Sequence, residues 1–188
     1  MKLKIKYRDI DHTMEKLILQ VNESIPYMRK KIPQGIDTPE DLFNFLKPQL
    51  TFTPDPPETE LLQTSQTLFE NNPHGFGGFG DCDCFSITGI ASLYVLQIPT
   101  KIVLAGRGVF QPVHIYLRVF HRNKWIPFDL TQPDYNSERH YPFKFDYFLK
   151  FVYKDPKDQK NQKKDEFDLQ AFNLRRQKYL KKNLLFVK

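Results

Sequence analysis

The chain has 188 residues, 40% of them hydrophobic, which is enough to bury one substantial core. No apolar run reaches the ~18 residues of a membrane span, and the charged start MKLKIKYRDIDH is unlike a secretory signal, so we expect a cytoplasmic protein without a transmembrane segment. The net charge of +6 lies entirely in residues 169–188, which contain six basic residues and no acid. We therefore predict a domain over 1–153, a charged linker over 154–168 and a basic helix or tail over 169–188 that can contact a polyanion.

The first half of the chain predicts mostly helices. Residues 2–8 alternate basic and apolar side chains, which is typical of a half-buried strand, and residues 13–21 predict a short helix. TPEDLFNFLKPQ predicts a second helix with Thr38 as its N-cap and proline in its first turn. Residues 57–70 predict a third helix, and the glycine-rich run at 75–80 ends this region.

The second half predicts one buried helix followed by strands. Apolar residues recur through 83–97 with the spacing of a buried helix that begins close to Cys82. Strands are predicted at 98–106, 112–121 and 124–130, and the tight turn HRNK predicts that the last two form a hairpin. YPFKFDYFLKFVY predicts a fourth strand, or a strand followed by a helical turn. Helices followed by a meander of strands indicate an α+β fold.

The two cysteines, Cys82 and Cys84, lie between the glycine-rich run and the predicted helix. A disulfide between them would close a small strained ring, and a metal site needs three or four ligands, which CDC and the unpaired histidines do not supply. Two interpretations remain: both cysteines are small buried residues, or one of them is a nucleophile. A cysteine at a helix N-terminus lies beside backbone N–H groups and the positive end of the helix dipole, so we expect a lowered thiol pKa. The flanking glycines allow a close approach of the chain, which favours the nucleophile.

A thiol nucleophile needs a base, and the base needs a group that orients it. His114 lies in the second predicted strand, on the side opposite Ile115 and Leu117. Asp129 lies at the end of the third strand, and pairing through HRNK would place it opposite or diagonal to His114. A packed histidine or a turn-forming aspartate is an ordinary feature of a strand. The three residues together indicate a catalytic site.

Three segments in this order, GDCDCFSITGIASLYVLQIPTKIV, HIYLRV and KWIPFDLT, resemble the transglutaminase-like superfamily of papain-like cysteine enzymes over about residues 60–131. LLQTSQTLFE also resembles the segment that precedes the motif in short bacterial and phage members. The resemblance implies a papain/transglutaminase-like core in which the cysteine helix packs on an antiparallel sheet. It also implies Cys82 as nucleophile, His114 as base and Asp129 as orienting group. Cys84 stands where short members often have an acid.

The resemblance implies a cysteine-dependent hydrolase, such as a protease or amidase, or an acyl transferase that acts on amide or isopeptide bonds of a protein or peptide. We expect the backbone N–H of Cys82 to hold the oxyanion, with Gln63 as a further candidate. The mechanism requires no metal and no cofactor. The alternative is a non-catalytic structural or interaction protein, virion-associated if it comes from a phage, whose basic tail binds nucleic acid or a partner.

Overall fold

Four helices and eight strands form the part of the chain that this computed structural model describes, residues 2–6, 10–57, 59–70, 77–108 and 111–148. In chain order they are β1 (Lys2–Lys6), α1 (Ile10–Lys31), α2 (Pro39–Leu46), a 3-10 turn (Lys47–Gln49), β2 (Leu50–Phe52), β3 (Thr59–Gln63), α3 (Ser65–Glu70), β4 (Gly78–Gly80), α4 (Cys82–Val95), β5 (Thr100–Gly108), β6 (Gln111–His121), β7 (Lys124–Phe128) and β8 (Phe143–Phe148). The predicted linker and basic tail lie outside the described residues.

The apolar segment after Cys82 forms the central helix α4, as the sequence predicts. Every residue from Asp83 to Leu93 is buried, because α4 packs against both α1 and β6. A methyl group at Gly89 would lie 2.8 Å from Cδ1 of Leu117, so only glycine allows the helix to approach the sheet this closely. This contact fixes the position of the helix N-terminus relative to β6.

The main sheet is antiparallel, with strand order β7-β6-β5-β8. The predicted hairpin joins β6 and β7 through Arg122 and Asn123, whose φ angles of 49° and 63° are those of a tight turn that matches the twist of the strands. Leu117 pairs with Phe128, which sets the register on which the site depends. The predicted α+β fold, with the cysteine helix packed on an antiparallel sheet, is confirmed.

The helix predicted over 57–70 is wrong in its first half. Residues 59–63 form β3, which pairs with β1 in antiparallel register, so ladder hydrogen bonds outweigh the modest helix preference of TELLQ. Only Ser65–Glu70 is helical, and α3 begins where the hydroxyl of Thr64 accepts a hydrogen bond from the backbone N–H of Thr67. A second small sheet pairs β2 with β4 in parallel.

The first two helices agree with the sequence in position but not always in length. Helix α1 extends well beyond the predicted 13–21 and continues through Pro26, because its apolar face stays buried as far as Met28. Helix α2 begins as predicted, with the side chain of Thr38 accepting from the backbone N–H of Asp41 at 3.1 Å. None of the helices in the described ranges has the length and apolar character needed to cross a bilayer.

Candidate active site

Cys82 is the first residue of α4 and lies at the wall of a cavity of about 220 Å³ that His114 also lines. Its side chain is partly exposed, and both cysteines are free thiols. The backbone N–H of Ile115 donates a hydrogen bond to the thiol sulfur. Cavity and hydrogen bond together place the helix N-terminus against the middle of β6, beside the predicted base.

His114 and Asp129 are joined by a hydrogen bond of 2.8 Å between Nε2 and Oδ2. The β6–β7 register explains the contact, because Asp129 directly follows β7 and so lies diagonal to His114 on the same face. The two side chains are only 9% and 2% exposed. A hydrogen bond shielded from water in this way is stronger than the same bond at the surface.

Other donors converge on Asp129. Its Oδ1 accepts from the backbone N–H of Thr131 at 3.0 Å and from the hydroxyl of Thr131 at 2.7 Å, and its Oδ2 accepts from Nε2 of Gln132 at 3.3 Å. Burial raises the pKa of this carboxyl, but His114 and the Thr131 donors outweigh burial and hold the pKa below the ordinary value of 3.8. Nζ of Lys47 donates to the carbonyl of Leu130 at 2.9 Å and adds a cation near the carboxylate. Asp129 is therefore a carboxylate at neutral pH.

The ionised carboxylate decides which ring nitrogen of His114 is free. A carboxylate can only accept, so Nε2 must carry the proton that Asp129 binds. In the neutral imidazole, Nδ1 then holds the lone pair. The pair is therefore arranged as a base that can take a proton on Nδ1 and keep its orientation through Nε2.

Carboxylates surround Cys82 on the other side. Asp81, Asp83 and Glu60 line the same cavity. Burial raises the pKa of the Cys82 thiol, and the charges of Asp81, Asp83 and Glu60 raise it further against the opposing hydrogen bond from Ile115. The sequence-based expectation of a lowered pKa is therefore wrong in direction, because burial of the thiol and the neighbouring acids outweigh the helix N-terminus.

Asp83 is 4% exposed, and its buried Oδ1 has no hydrogen-bond partner among the residues that the structure describes. Burial, a hydrogen bond shared with Asp81 and the charge of Asp81 raise its pKa well above the usual range. Carboxylate oxygens of Asp55, Glu60 and Asp81 lie within 4.8 Å of one another, and those of Asp81 and Asp83 lie equally close to the Cys84 sulfur. Only the first of these two sets consists of oxygens alone, which are the ligands that a hard divalent cation prefers.

Cys84 is buried. Its thiol donates to the carbonyl of Leu61 at 3.1 Å. A methyl group at Gly80 would lie 2.7 Å from Cβ of Cys84, so the glycine approach expected at the nucleophile occurs at the other cysteine. The amide of Gln63 donates to the carbonyl of Phe79 at 2.9 Å and to the Cys84 sulfur at 3.8 Å. The structure therefore places Gln63 beside Cys84, away from the cavity wall formed by Cys82 and His114.

Some residues around the site are not indicated by the sequence motifs alone. Thr131 and Gln132 lie two and three residues after Asp129, and the spacing D-x-T is a signal for a side chain that hydrogen-bonds two residues on. Lys47 has no such signal, because it lies 83 residues before the carbonyl that it binds. The position of Glu60 at the cavity does not follow from the sequence, because the sequence predicts a helix over the segment that contains it.

No protein-family model matches the sequence, and no curated protein matches it. Among solved structures, a protein from Cytophaga hutchinsonii described as a candidate cysteine protease matches with a TM-score of 0.37 and 19% identity, over 65% of this chain and 38% of that protein. A protein described as a TGase matches with a TM-score of 0.34 and 17% identity, over 67% of this chain and 33% of that protein. This chain thus spans little more than a third of the length of these proteins, and matches of this size carry no argument about its activity.

Proposed function

We propose that the chain is a cysteine-dependent hydrolase or acyl transferase of amide or isopeptide bonds, with Cys82 as nucleophile, His114 as base and Asp129 as orienting group. The observation that carries the proposal is the hydrogen bond of 2.8 Å between His114 and Asp129, at a cavity that Cys82 shares with His114. The resemblance of the three motifs to the transglutaminase-like superfamily supports the same roles.

The raised pKa of the Cys82 thiol determines how the reaction would begin. Because the thiol keeps its proton at neutral pH, Nδ1 of His114 takes that proton as the sulfur attacks the carbonyl carbon. The backbone N–H of Cys82 is the proposed donor to the oxyanion. Asp129 stabilises the imidazolium that forms, since its carboxylate already binds Nε2.

The second half of the proposed reaction releases the acyl group. The C–N bond of the substrate breaks, and the amine leaves with the proton from His114, which leaves a thioester on Cys82. Water then attacks the thioester while His114 takes its proton, and the sulfur leaves and regains a proton. If a primary amine attacks instead of water, the product is a new amide. The substrate class that fits is a protein or peptide.

The test is to trap the acyl-enzyme. The protein is incubated with an activated acyl ester and its mass is measured, followed by peptide mapping. We expect one acyl group on Cys82, none in Cys82→Ala, and much slower acylation in His114→Ala. Cys84→Ala is the matched control and should acylate like the unmodified chain, because Cys84 is buried. Acylation that persists in Cys82→Ala would contradict the assignment of the nucleophile.

A second candidate function is a non-catalytic protein that binds polyanions through residues 169–188. The raised pKa of the Cys82 thiol favours this candidate, because a thiol that keeps its proton is a weaker nucleophile than a thiolate. Its test is retention on heparin at low salt, compared with a full-length variant in which Arg175, Arg176 and Lys178 are replaced by Gln. Steeply salt-dependent retention that falls in the variant would support a binding role for the tail, since phosphate-like contacts release counterions. Equal retention of the unmodified chain and the variant would exclude a polyanion-binding role for the tail.

A further inference from the structure

The imidazole of His114 is in contact with two tyrosine rings. The ring of Tyr116 lies 5.5 Å away between centroids at an angle of 13°, and that of Tyr141 lies 5.5 Å away at 26°. Both contacts are in the range of offset stacking. Tyr116 is two residues along the same strand, so its contact follows from strand geometry. Tyr141 comes from the segment between β7 and β8, and nothing local in the sequence brings it to His114.

Ion pairs tie this segment to the sheet just before Tyr141. Oε1 of Glu138 accepts from Nη2 of Arg118 at 2.7 Å, and its Oε2 accepts from Nζ of Lys144 at 2.6 Å. The hydroxyl of Tyr116 also donates to Glu138. Burial raises the pKa of the Glu138 carboxyl, but these donors outweigh it and hold the pKa at about 2. Glu138 is therefore ionised at neutral pH, and its three donors fix the segment on β6 and β8.

We infer that Tyr141 is a positioning residue, which holds the imidazole plane of His114 so that Nε2 stays on Asp129 and Nδ1 stays free for the thiol. This inference rests on the proposed function. A single hydrogen bond at Nε2 leaves the ring free to rotate about the line of that bond. A ring stacked on the imidazole removes this freedom, and it also shields the His114–Asp129 bond from water, consistent with the 9% exposure of the His114 side chain.

The packing around Tyr141 separates this role from a general contribution to stability. Tyr141 is partly buried and packs against a small cluster of Val103, Ala105 and Tyr116. Tyr135, in the same segment, instead contacts the ring of Phe43, with the centroids 5.8 Å apart and the planes tilted by 58°. Removing the Tyr135 ring should therefore cost stability without changing His114, whereas removing the Tyr141 ring should release His114.

The experiment measures two quantities in Tyr141→Ala, Tyr141→Phe and Tyr135→Leu. The first is the proton NMR signal of Nε2–H of His114, assigned by its loss in His114→Ala. The second is the rate of alkylation of Cys82 by iodoacetamide as a function of pH. In Tyr141→Ala we expect the Nε2–H signal to broaden through exchange with water and the alkylation rate to fall about fivefold. Tyr141→Phe keeps the ring and should restore both, and Tyr135→Leu should leave both unchanged.

Two results would overturn the inference: an unchanged Nε2–H signal in Tyr141→Ala, or a Tyr141→Phe variant as defective as Tyr141→Ala. If Tyr141→Ala does not fold, Tyr141→Leu keeps apolar cover without an aromatic ring and decides the same question. Failure of the proposed function has a different signature. In that case His114→Ala leaves the alkylation of Cys82 unchanged, while the Nε2–H signal still reports whether Tyr141 holds the ring.

Discussion

The β6–β7 hairpin and the N-terminus of α4 form the two sides of the candidate site. The two sides differ in how their surroundings shift the pKa of the buried group. On the hairpin, Asp129 is bound by His114 and Thr131, and its pKa lies below the ordinary value. On the helix, Cys82 lies beside Asp81 and Asp83, and its pKa is raised. The base is thus organised before any substrate arrives, while the thiol is held in its unreactive form. Burial acts on both sides, and the difference comes from the neighbours that each buried group has.

This difference bears on how such a site would be controlled. A thiol that keeps its proton in the free protein is protected from oxidation and alkylation, since the thiolate is the reactive form. The proposed reaction would then need a proton acceptor at the moment of attack, which is what the His114–Asp129 pair supplies. Changes on the hairpin side should therefore lower stability and activity together, whereas removal of acids on the helix side should raise thiol reactivity.

Asp129→Asn should have the largest effect on stability, because it removes the charged member of a buried hydrogen-bonded pair. We expect a loss of about 3 kcal/mol in the free energy of unfolding at pH 7. Because the folded pKa of Asp129 is depressed, its stabilisation is complete above the unfolded value and disappears as the pH falls through the folded value. Denaturant unfolding at pH 7 and at about pH 3 measures the difference. An equal loss at both pH values would contradict the charged pair as its source.

Asp81→Asn tests the helix side by removing the nearest charge while keeping a good helix cap. The pKa of Cys82 should fall, so we expect alkylation at about pH 8 to be about tenfold faster, which corresponds to one pKa unit. Glu23→Gln, which removes an exposed acid of α1, is the control and should leave the rate unchanged. A rate that does not change in Asp81→Asn would mean that burial alone keeps the thiol protonated.

The sequence predicts the hairpin side better than the helix side, for a physical reason. The positions of His114 and Asp129 follow from strand alternation and from one short turn, HRNK, and both are local features. The start of α4 at Cys82 is likewise visible in the chain, from Asp81 as cap and the apolar run that follows. The predicted placement of these elements in the fold is confirmed.

The charges around Cys82 are partly visible in the sequence, since Asp81 and Asp83 flank the cysteine, and partly not. Glu60 reaches the cavity because Thr59–Gln63 is a strand paired with β1, whereas its sequence predicts a helix. The helix dipole alone predicts a lowered pKa for Cys82, whereas burial of the thiol and this third acid both raise it. Lys47 and Tyr141 reach the hairpin only through tertiary packing. Long-range contacts therefore add what the flanking acids do not show, namely the burial of the thiol, a third carboxyl group, and the cation and aromatic ring beside the hairpin.

Thr131→Val gives a smaller test of the hairpin side. Valine keeps the shape of threonine but removes the hydroxyl that donates to Asp129 at 2.7 Å, while the backbone N–H of residue 131 still donates. We expect a loss of about 1 kcal/mol in the free energy of unfolding, and Thr131→Ser, which keeps the hydroxyl, should recover most of it. Differential scanning calorimetry at pH 7 compares the three chains. Equal losses in the valine and serine variants would contradict the hydroxyl as the source of the stabilisation.

The smallest expected effect concerns the charge of the reagent that attacks Cys82. The acidic side chains of Asp81 and Glu60 line the cavity, so an anionic reagent should enter less readily than a neutral one of similar size. The quantity to measure is the rate of alkylation by iodoacetate divided by the rate by iodoacetamide. At low salt, we expect this ratio to be about threefold smaller for Cys82 than for a neutral model thiol. Added salt should reduce the difference, since exposed charges are screened. Asp81→Asn should reduce it at constant salt, whereas Glu23→Gln should not. If the ratio for Cys82 in the unmodified chain equals that of the model thiol, the carboxylates act on the pKa of the thiol but do not select the molecules that reach it.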